Sequence, residues 1–483
     1  MNKILIHIAF LLIFGVINTS IRAQITGTPH LNFKPITARY GGSDNDYLFS
    51  LDATPDGGYI YGGYSSSASA NNGDQLISNT KGNIDYWLVK TDMMGNIQWQ
   101  KRFGGAGDDY LYKALPTSDS GYILIGRSAS ESANTGDQNN IAGKGGIDYW
   151  VVKIDSAGVI QWQKRFGGSD DDLINGSASI IQTTDGGYFL GGYSVAASAA
   201  TGDQSGSVGY GGYDYWVLKI SSSGTIQWQK RYGGSGDDYL YSIKQTNDGG
   251  YILGGNSLVA SNGIQMGLAS HGMIDYWIIK TDSTGNISWQ RNYGSNEDDN
   301  MYDIQQTNDG GYIIAGHSSA GLILTGDQQN INPTSGSGIV DFWIIKITTT
   351  GAIQWQKRYG GSGIDYCYSI KQTADTGFIV GGFSDDNSAN TGDQSGSFGF
   401  GGNDFWVIKT DNNGIVQWQK RFGGASDDFL YSITENPDSF ILGGFSAQNS
   451  YNSGTQSGIN SKGNFDFWAI KVNKDGQVGM LRY

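Results

Sequence analysis

Seven times along the chain a short stretch carries acid just before its last residue: SDNDY at 43–47, AGDDY at 106–110, SDDDL at 169–173, SGDDY at 235–239, NEDDN at 296–300, SGIDY at 362–366 and ASDDF at 425–429. Paired carboxylates of this kind can do two sorts of chemistry. With suitably different environments, one acts as acid and the other as base or nucleophile on a glycosidic bond. Gathered on a ring, they offer the six to eight oxygens that Ca²⁺ wants. The second position is Asp in every copy (Asp46, Asp109, Asp172, Asp238, Asp299, Asp365 and Asp428), which reads as an acceptor that each turn needs. The position before it changes from copy to copy: Asn45, Asp108, Asp171, Asp237, Asp298, Ile364 and Asp427. A particular site would show itself as such variation, so Asp108, Asp171, Asp237, Asp298 and Asp427 are candidate binding residues.

A second acidic series is Gly-Asp-Gln at 73–75, 136–138, 202–204, 326–328 and 392–394, with Gly-Ile-Gln at 263–265 and Gly-Thr-Gln at 454–456 in the same register. It adds Asp74, Asp137, Asp203, Asp327 and Asp393 as candidates. They read either as turn closers or as repeated weak sites whose avidity would add along a polymer. Tyr210 and Tyr213 in the same loops are of a type that stacks on sugars. No segment fits an EF-hand loop, so the metal ligands are unknown and Ca²⁺ is an option rather than an assignment. Catalytic signals are thin. His271 and His317 have no counterparts in the other copies, Cys367 takes the place of Leu240 and reads as a buried apolar residue, and no nucleophile motif is present. No catalytic residue is singled out.

The elements that must position these residues come from a repeat. A Trp in each Asp-(Tyr/Phe)-Trp triplet falls at Trp87, Trp150, Trp216, Trp277, Trp343, Trp406 and Trp468, a period of 61–66 residues that announces a repeat architecture. One unit, residues 239–293, reads as YLYSIKQT, a turn at Asn247–Gly250, YILGGNS, a long polar loop, DYWIIKT, a turn at Asp282–Gly285, and NISWQRNYG. Aromatic and β-branched content, period-two alternation and Asp/Gly turns predict four antiparallel strands and almost no helix. Seven such units without polar caps predict a closed all-β fold, a seven-bladed β-propeller over 36–483, because closure removes the exposed edges. ITARYGG at 36–42 and the closing QVGMLRY are the pieces available to zip the last blade to the first. The other six Trp stand in fourth strands, at 99, 162, 228, 289, 355 and 418, with Met480 in the seventh place, so all 13 Trp serve the repeat. The seven triplet Trp are expected to be structural, packed between blades.

The unit D-(Y/F)-W-x-(I/V/L)-K-x-D-x-x-G-x-I-x-W-Q-K-x-(F/Y)-G-G, followed by D-G-G-Y-I-L-G-G, resembles the repeat of exported bacterial β-propeller proteins. A more distant similarity links Lys90–Trp99, Lys-x-Asp-x-x-Gly-x-Ile-x-Trp, to the docking motif of quinoprotein-like propellers. That resemblance implies a packing role for the indole. It does not bring a quinone with it, because the chain is acidic and has seven units, so no cofactor is expected.

Residues 1–23, MNKILIHIAFLLIFGVINTSIRA, read as a cleaved signal peptide, followed by a lead-in over 24–35. Loss of Lys3 and Arg22 takes the net charge from −14 to about −16. An acidic surface excludes nucleic acid as the natural partner, and no later segment predicts membrane insertion. The single Cys excludes an internal disulfide framework. Since strands alternate in direction, the two Asp-Gly turns share one face, while the acidic connections and the long loops share the other. Binding lives on long loops held by a rigid scaffold. The expected function is therefore that of an exported, secreted or cell-surface, non-enzymatic propeller that binds or scaffolds, with a glycan or a surface protein as partner on the long-loop face. The alternative is a glycan-cleaving hydrolase or lyase, endoglucanase-like, using Asp pairs on that face. A purely structural matrix role is the third reading.

Overall fold

The computed structural model describes residues 37–478, apart from 76–79, 177–178, 259–262, 320–324 and 332–338. The expected signal peptide and lead-in (1–35) and Met480 lie outside the described residues. One compact unit spans Ile36–Val478. It is a ring of seven antiparallel blades, a seven-bladed β-propeller, and among the described residues there is no α-helix, only short 3-10 turns in the long loops.

Each blade runs outward in chain order. In blade 4 these are Asp238–Gln245, Tyr251–Leu258, Ile274–Thr281 and Ile287–Tyr293. The seventh blade departs from that order. Its first three strands are Asp428–Glu435, Ser439–Ala447 and Phe465–Asn473, and its outermost is the N-terminal Thr37–Tyr40, in register Thr37↔Ile470 to Tyr40↔Phe467. The N-terminal segment is thus the piece that zips the ring. Of the C-terminal segment, Val478 makes a single bridge to Val472.

Packing between blades explains the triplet. Trp87, Trp150, Trp216, Trp277, Trp343, Trp406 and Trp468 have no exposed surface. Each indole lies against the Tyr or Phe beside the Trp of the preceding blade, at centroid distances from 4.3 Å (Phe405–Trp468) to 4.8 Å (Tyr149–Trp216). The seventh contact, Phe467–Trp87 at 4.4 Å, joins the last blade to the first. Six of the seven indole N–H groups donate to a fourth-strand Gln, as in Trp216 Nε1 to Gln229 Oε1 at 2.7 Å. Outer Trp residues reach the next blade's turn, for example Trp99 Nε1 to the Ser156 carbonyl at 3.1 Å. Truncating one of these buried rings costs about 3–5 kcal/mol.

The innermost strand carries a bulge that the sequence pattern does not announce. Pairing with the second strand skips Phe49, Tyr112, Tyr241, Tyr302, Tyr368 and Tyr431. An extra residue at a bulge re-aims its side chain, and here it points at the central channel. The glycine pair of the second strand is the counterpart: a Cβ on Gly255 would stand 2.0 Å from the Tyr239 carbonyl oxygen.

Candidate functional site

The invariant Asp of the acidic connection is a buried clasp. In blade 2, Asp109 Oδ2 accepts from the Gly105 N–H (2.7 Å) and the Ser132 hydroxyl (2.9 Å), and Oδ1 accepts from Gln138 Nε2 (3.0 Å). Gln138 Oε1 accepts in turn from Arg165 Nη1 (2.9 Å), whose Nε donates to Asp148 (2.9 Å). Burial drives the carboxyl of Asp109 up to about 6 and that of Asp172 to about 7, against the pull of their hydrogen bonds. A raised carboxyl can mark a general acid. Here the Gln-to-Asp bond recurs in all seven blades, and Asp46, Asp109, Asp172, Asp238, Asp299, Asp365 and Asp428 have no exposed surface. The clasp is structural, and its central member is the Gln of each Gly-x-Gln triplet, fully buried in all seven blades. Sequence reading attended to the Asp of that triplet, although the Gln persists where the Asp does not.

The triplet Asp residues join neighbouring blades. Asp74, Asp137, Asp203, Asp327 and Asp393 each accept the N–H of the first residue after the preceding fourth strand, as in Gly104 to Asp137 at 3.2 Å. Four of them face a basic side chain from the loop before: Lys462–Asp74 at 3.3 Å, Lys81–Asp137 and Lys144–Asp203 at 3.4 Å, and His271–Asp327 at 3.5 Å. The exceptions now have a reason. Where that loop carries Tyr210 or Phe400 instead, the following triplet holds Ile264 or Thr455. The ring then packs near the triplet's glycine, Tyr210 beside Gly263 and Phe400 beside Gly454.

Three of the variable acids reach back to the third strand of the preceding blade or the residue before it. Asp171 Oδ1 accepts from the Ile147 N–H (2.9 Å), Asp237 Oδ1 from the Tyr213 N–H (3.1 Å), and Asp427 Oδ1 from both nitrogens of Asn403 (3.0 and 2.9 Å). Asp108 accepts from the Tyr110 hydroxyl at 3.3 Å. One buried oxygen each of Asp108 and Asp298 has no hydrogen-bond partner among the described residues. No group of three or more His, Cys, Asp or Glu side chains among the described residues is close enough to hold a metal ion.

What does converge is the channel wall, through residues the sequence reading passed over. At the bulge level, rings pack in sequence: Tyr112–Phe49 at 5.3 Å, Phe49–Tyr431 at 4.8 Å, Tyr431–Tyr368 at 4.6 Å, Tyr368–Tyr302 at 4.7 Å and Tyr302–Tyr241 at 5.0 Å. Blade 3 breaks the series, its first strand being split into Asp172–Leu173 and Ile180–Gln182 with Asn175 and Gly176 between them. Above this level the mouth is uneven. On the side of blades 6, 7 and 1 it is aromatic, with Phe383, Phe429, Phe445, Tyr47 and Tyr64 edge to face or tilted on one another. On the side of blades 2 to 5 polar groups enter. The Arg127 guanidinium lies 4.6 Å over the Tyr110 ring and donates to Asn175 at 3.1 Å, and Asn256 donates to Asn300 at 3.0 Å. His317 stacks on Tyr302 at 5.3 Å, and burial lowers its pKa to about 3, so it is neutral. The aromatic residue three positions after the invariant Asp, present in six of the seven copies, was the available signal for this wall.

Off the axis, a cleft of about 500 Å³ opens between blades 6 and 7 on the long-loop face. Its floor is Ile364, Tyr366, Phe383 and Phe429, and its rim carries Asp385, Asp386, Asn387 and Asn403.

The fold and this face define the protein as a seven-bladed propeller with an aromatic channel mouth. No protein-family model matches the chain. It is 24% identical over 309 residues to the regulatory protein FlaEY of Caulobacter vibrioides, a match covering 59% of this chain and 30% of that one, so the chain spans less than a third of that relative's length. Among solved structures, it is similar to the Pan2 WD40 domain of Neurospora crassa (TM-score 0.43, 11% identity, 92% of each chain). It is also similar to Drosophila Plexin A in complex with Semaphorin 1b (TM-score 0.45, 8% identity, 90% of this chain and 86% of that). YCF48 bound to D1 peptide matches with a TM-score of 0.40 and 8% identity over 92% of this chain and 99% of that.

Proposed function

We propose that the protein is an exported, non-enzymatic binding propeller that holds a partner protein on its long-loop face, over the channel mouth. The observation carrying this reading is the mouth itself, a collar of aromatic side chains from first and second strands, apolar on one arc and polar on the other. Large rigid rings beside a few polar groups are what protein-binding hot spots are made of. The surrounding loops add exposed apolar side chains, with Val208, Met266, Met273, Ile339 and Phe398 between 63% and 76% exposed. A second reading, a glycan, is favoured by the polar arc alone, where Arg127, Asn175 and Asn300 stand among Tyr rings suited to sugar stacking. The hydrolase alternative draws on the Asp pairs, and its invariant member is sealed inside the clasp.

The test exposes the full chain to a glycan array and to fractionated surface proteins, with and without chelator, so that a Ca²⁺ requirement is read at the same time. Tyr239, whose ring meets those of Tyr193 and Tyr213 at the start of blade 4, and Phe429 are the probes: Tyr239→Ala and Phe429→Ala should each weaken saturable binding by about 30-fold, read at a temperature where the variant is fully folded. Binding that ignores these variants but disappears with Asp56→Asn, on the opposite face, would overturn the proposal.

A further inference from the structure

The departures of blade 6 from the repeat gather at one place. Ile364 replaces the acid found at this position in five other blades, and Asp385-Asp386 stand at the end of the second strand where other blades have Ser66-Ser67, Ala129-Ser130, Val195-Ala196 and Ala447-Gln448. The substitutions line one cleft, Ile364 and Asp385 side by side with the Asp385 N–H donating to the Ile364 carbonyl at 3.0 Å. Removing an acid from the floor and adding two at the rim makes an apolar base under a negative lip.

We infer that this cleft binds an alkylammonium or guanidinium group, presented by a Lys or Arg side chain of the partner protein. The inference rests on the long-loop face being the binding face, and it names the chemistry recognised there. Three rings shape the floor. Phe383 meets Tyr366 at 5.1 Å and 60° and Phe429 at 4.7 Å and 90°, so the cleft is walled by rings in crossed orientations. Ring faces attract an organic cation through their quadrupoles, most strongly when it is desolvated. The Asp386 side chain is 52% exposed and stands 4.0 Å from Arg421 Nη2, a nitrogen that Asp404 already engages at 2.9 Å. Asp385 is fixed by the Ser388 N–H (3.0 Å) and by Asn387 (3.2 Å), which aligns it without neutralising it. Nor does the blade 6 loop bring its own counter-ion: Phe400 occupies the place held by Lys81, Lys144, Lys462 and His271 in blades 1, 2, 7 and 4. A volume of about 500 Å³ falls among ordinary ligand pockets and accommodates a long basic side chain with its flanking backbone.

Saturation-transfer NMR of the full chain with the peptides acetyl-Gly-Lys-Gly-amide, its Arg form, its norleucine form and its Glu form reads the recognition directly. Saturable transfer is expected for the Lys and Arg peptides only, about fivefold weaker in Asp386→Asn, absent in Asp386→Lys, and reduced by added salt because the carboxylate is exposed. Phe383→Leu should weaken the cations in the same way, provided its melting temperature matches that of the wild type. Equal transfer from Lys and norleucine peptides, or an unchanged response in Asp386→Lys, would refute the inference. Failure of the peptides alongside Tyr239-dependent partner binding would sink the cation slot while leaving the face intact. Peptide binding in a chain that captures no macromolecule would uphold the slot and dismiss the face.

Discussion

Phenylalanine in place of Trp216 should destabilise the ring more than phenylalanine in place of Trp468, and the difference isolates one hydrogen bond. Both indoles are fully buried, and both lie against an aromatic ring of the blade before, Tyr149 at 4.8 Å and Phe405 at 4.3 Å. The loss of ring volume is therefore similar at the two sites. Their polar edges differ. Trp216 Nε1 donates to Gln229 Oε1 at 2.7 Å, whereas Trp468 Nε1 has no partner among the described residues, its neighbour being the N-terminal strand Thr37–Tyr40, which has no Gln. Stranding a partly buried acceptor costs about 1–3 kcal/mol, and Gln229 is only partly buried, so about 1–2 kcal/mol is expected between the variants. Urea unfolding followed by far-ultraviolet circular dichroism measures it, with the midpoints compared at equal slope. Adding Gln229→Leu to Trp216→Phe should recover most of the difference, because it removes the stranded group. If the two single variants lose stability equally, to within about 0.5 kcal/mol, the indole hydrogen bonds are incidental and only ring packing matters.

Closure and titration supply further checks. Arg39 is buried, paired with Asp466 at 3.0 Å and bonded to Gln456 at 3.1 Å, so Arg39→Ala should cost about 3–5 kcal/mol and release the N-terminal strand to protease before the rest unfolds. Thermal stability should peak near pH 4 and fall as pH rises to about 7. Burial holds Asp46, Asp172, Asp238, Asp299 and Asp428 at about 7, and Asp109 and Asp365 at about 6. These groups keep a proton that the unfolded chain releases near pH 4, so their contribution is complete below that pH and is lost as pH rises through 6 to 7. At the opposite turns, burial is outweighed by hydrogen bonds from Lys and Thr, which hold Asp56, Asp119, Asp185 and Asp248 at about 2. Their contribution stands above about pH 4 and fades as pH falls toward 2. A melting temperature that climbs steadily from pH 5 to pH 8 would contradict the burial of the clasp.

Much of the ring was legible because its rules are local. Alternation along IQWQKRF, the Asp-Gly turns and the Trp period depend on residues a few positions apart, and they were enough for the strands, the seven blades and the packing role of the indoles. Closure was legible only as a choice of two ends. Selecting Thr37–Tyr40 required a partner more than 400 positions away, since Arg39 and Gln456 are 417 apart. A shorter but still non-local separation hid the meaning of Gly-x-Gln, whose Gln138 and Asp109 are 29 positions apart. Its buried Gln binds the invariant Asp of the same blade, while its Asp answers a basic side chain on the preceding one, so the presence of Ile264 and Thr455 has its reason in Tyr210 and Phe400. The channel wall depended on a bulge, which sets a side chain's direction through cross-strand register rather than through residue type. The blade 6–7 cleft is made by Ile364, Phe383, Asp386 and Phe429, four residues from separate strands and loops. Only the packing of blade 7 on blade 6 brings them together, because contacts between blades are set by the three-dimensional path of the backbone and leave no period in the chain.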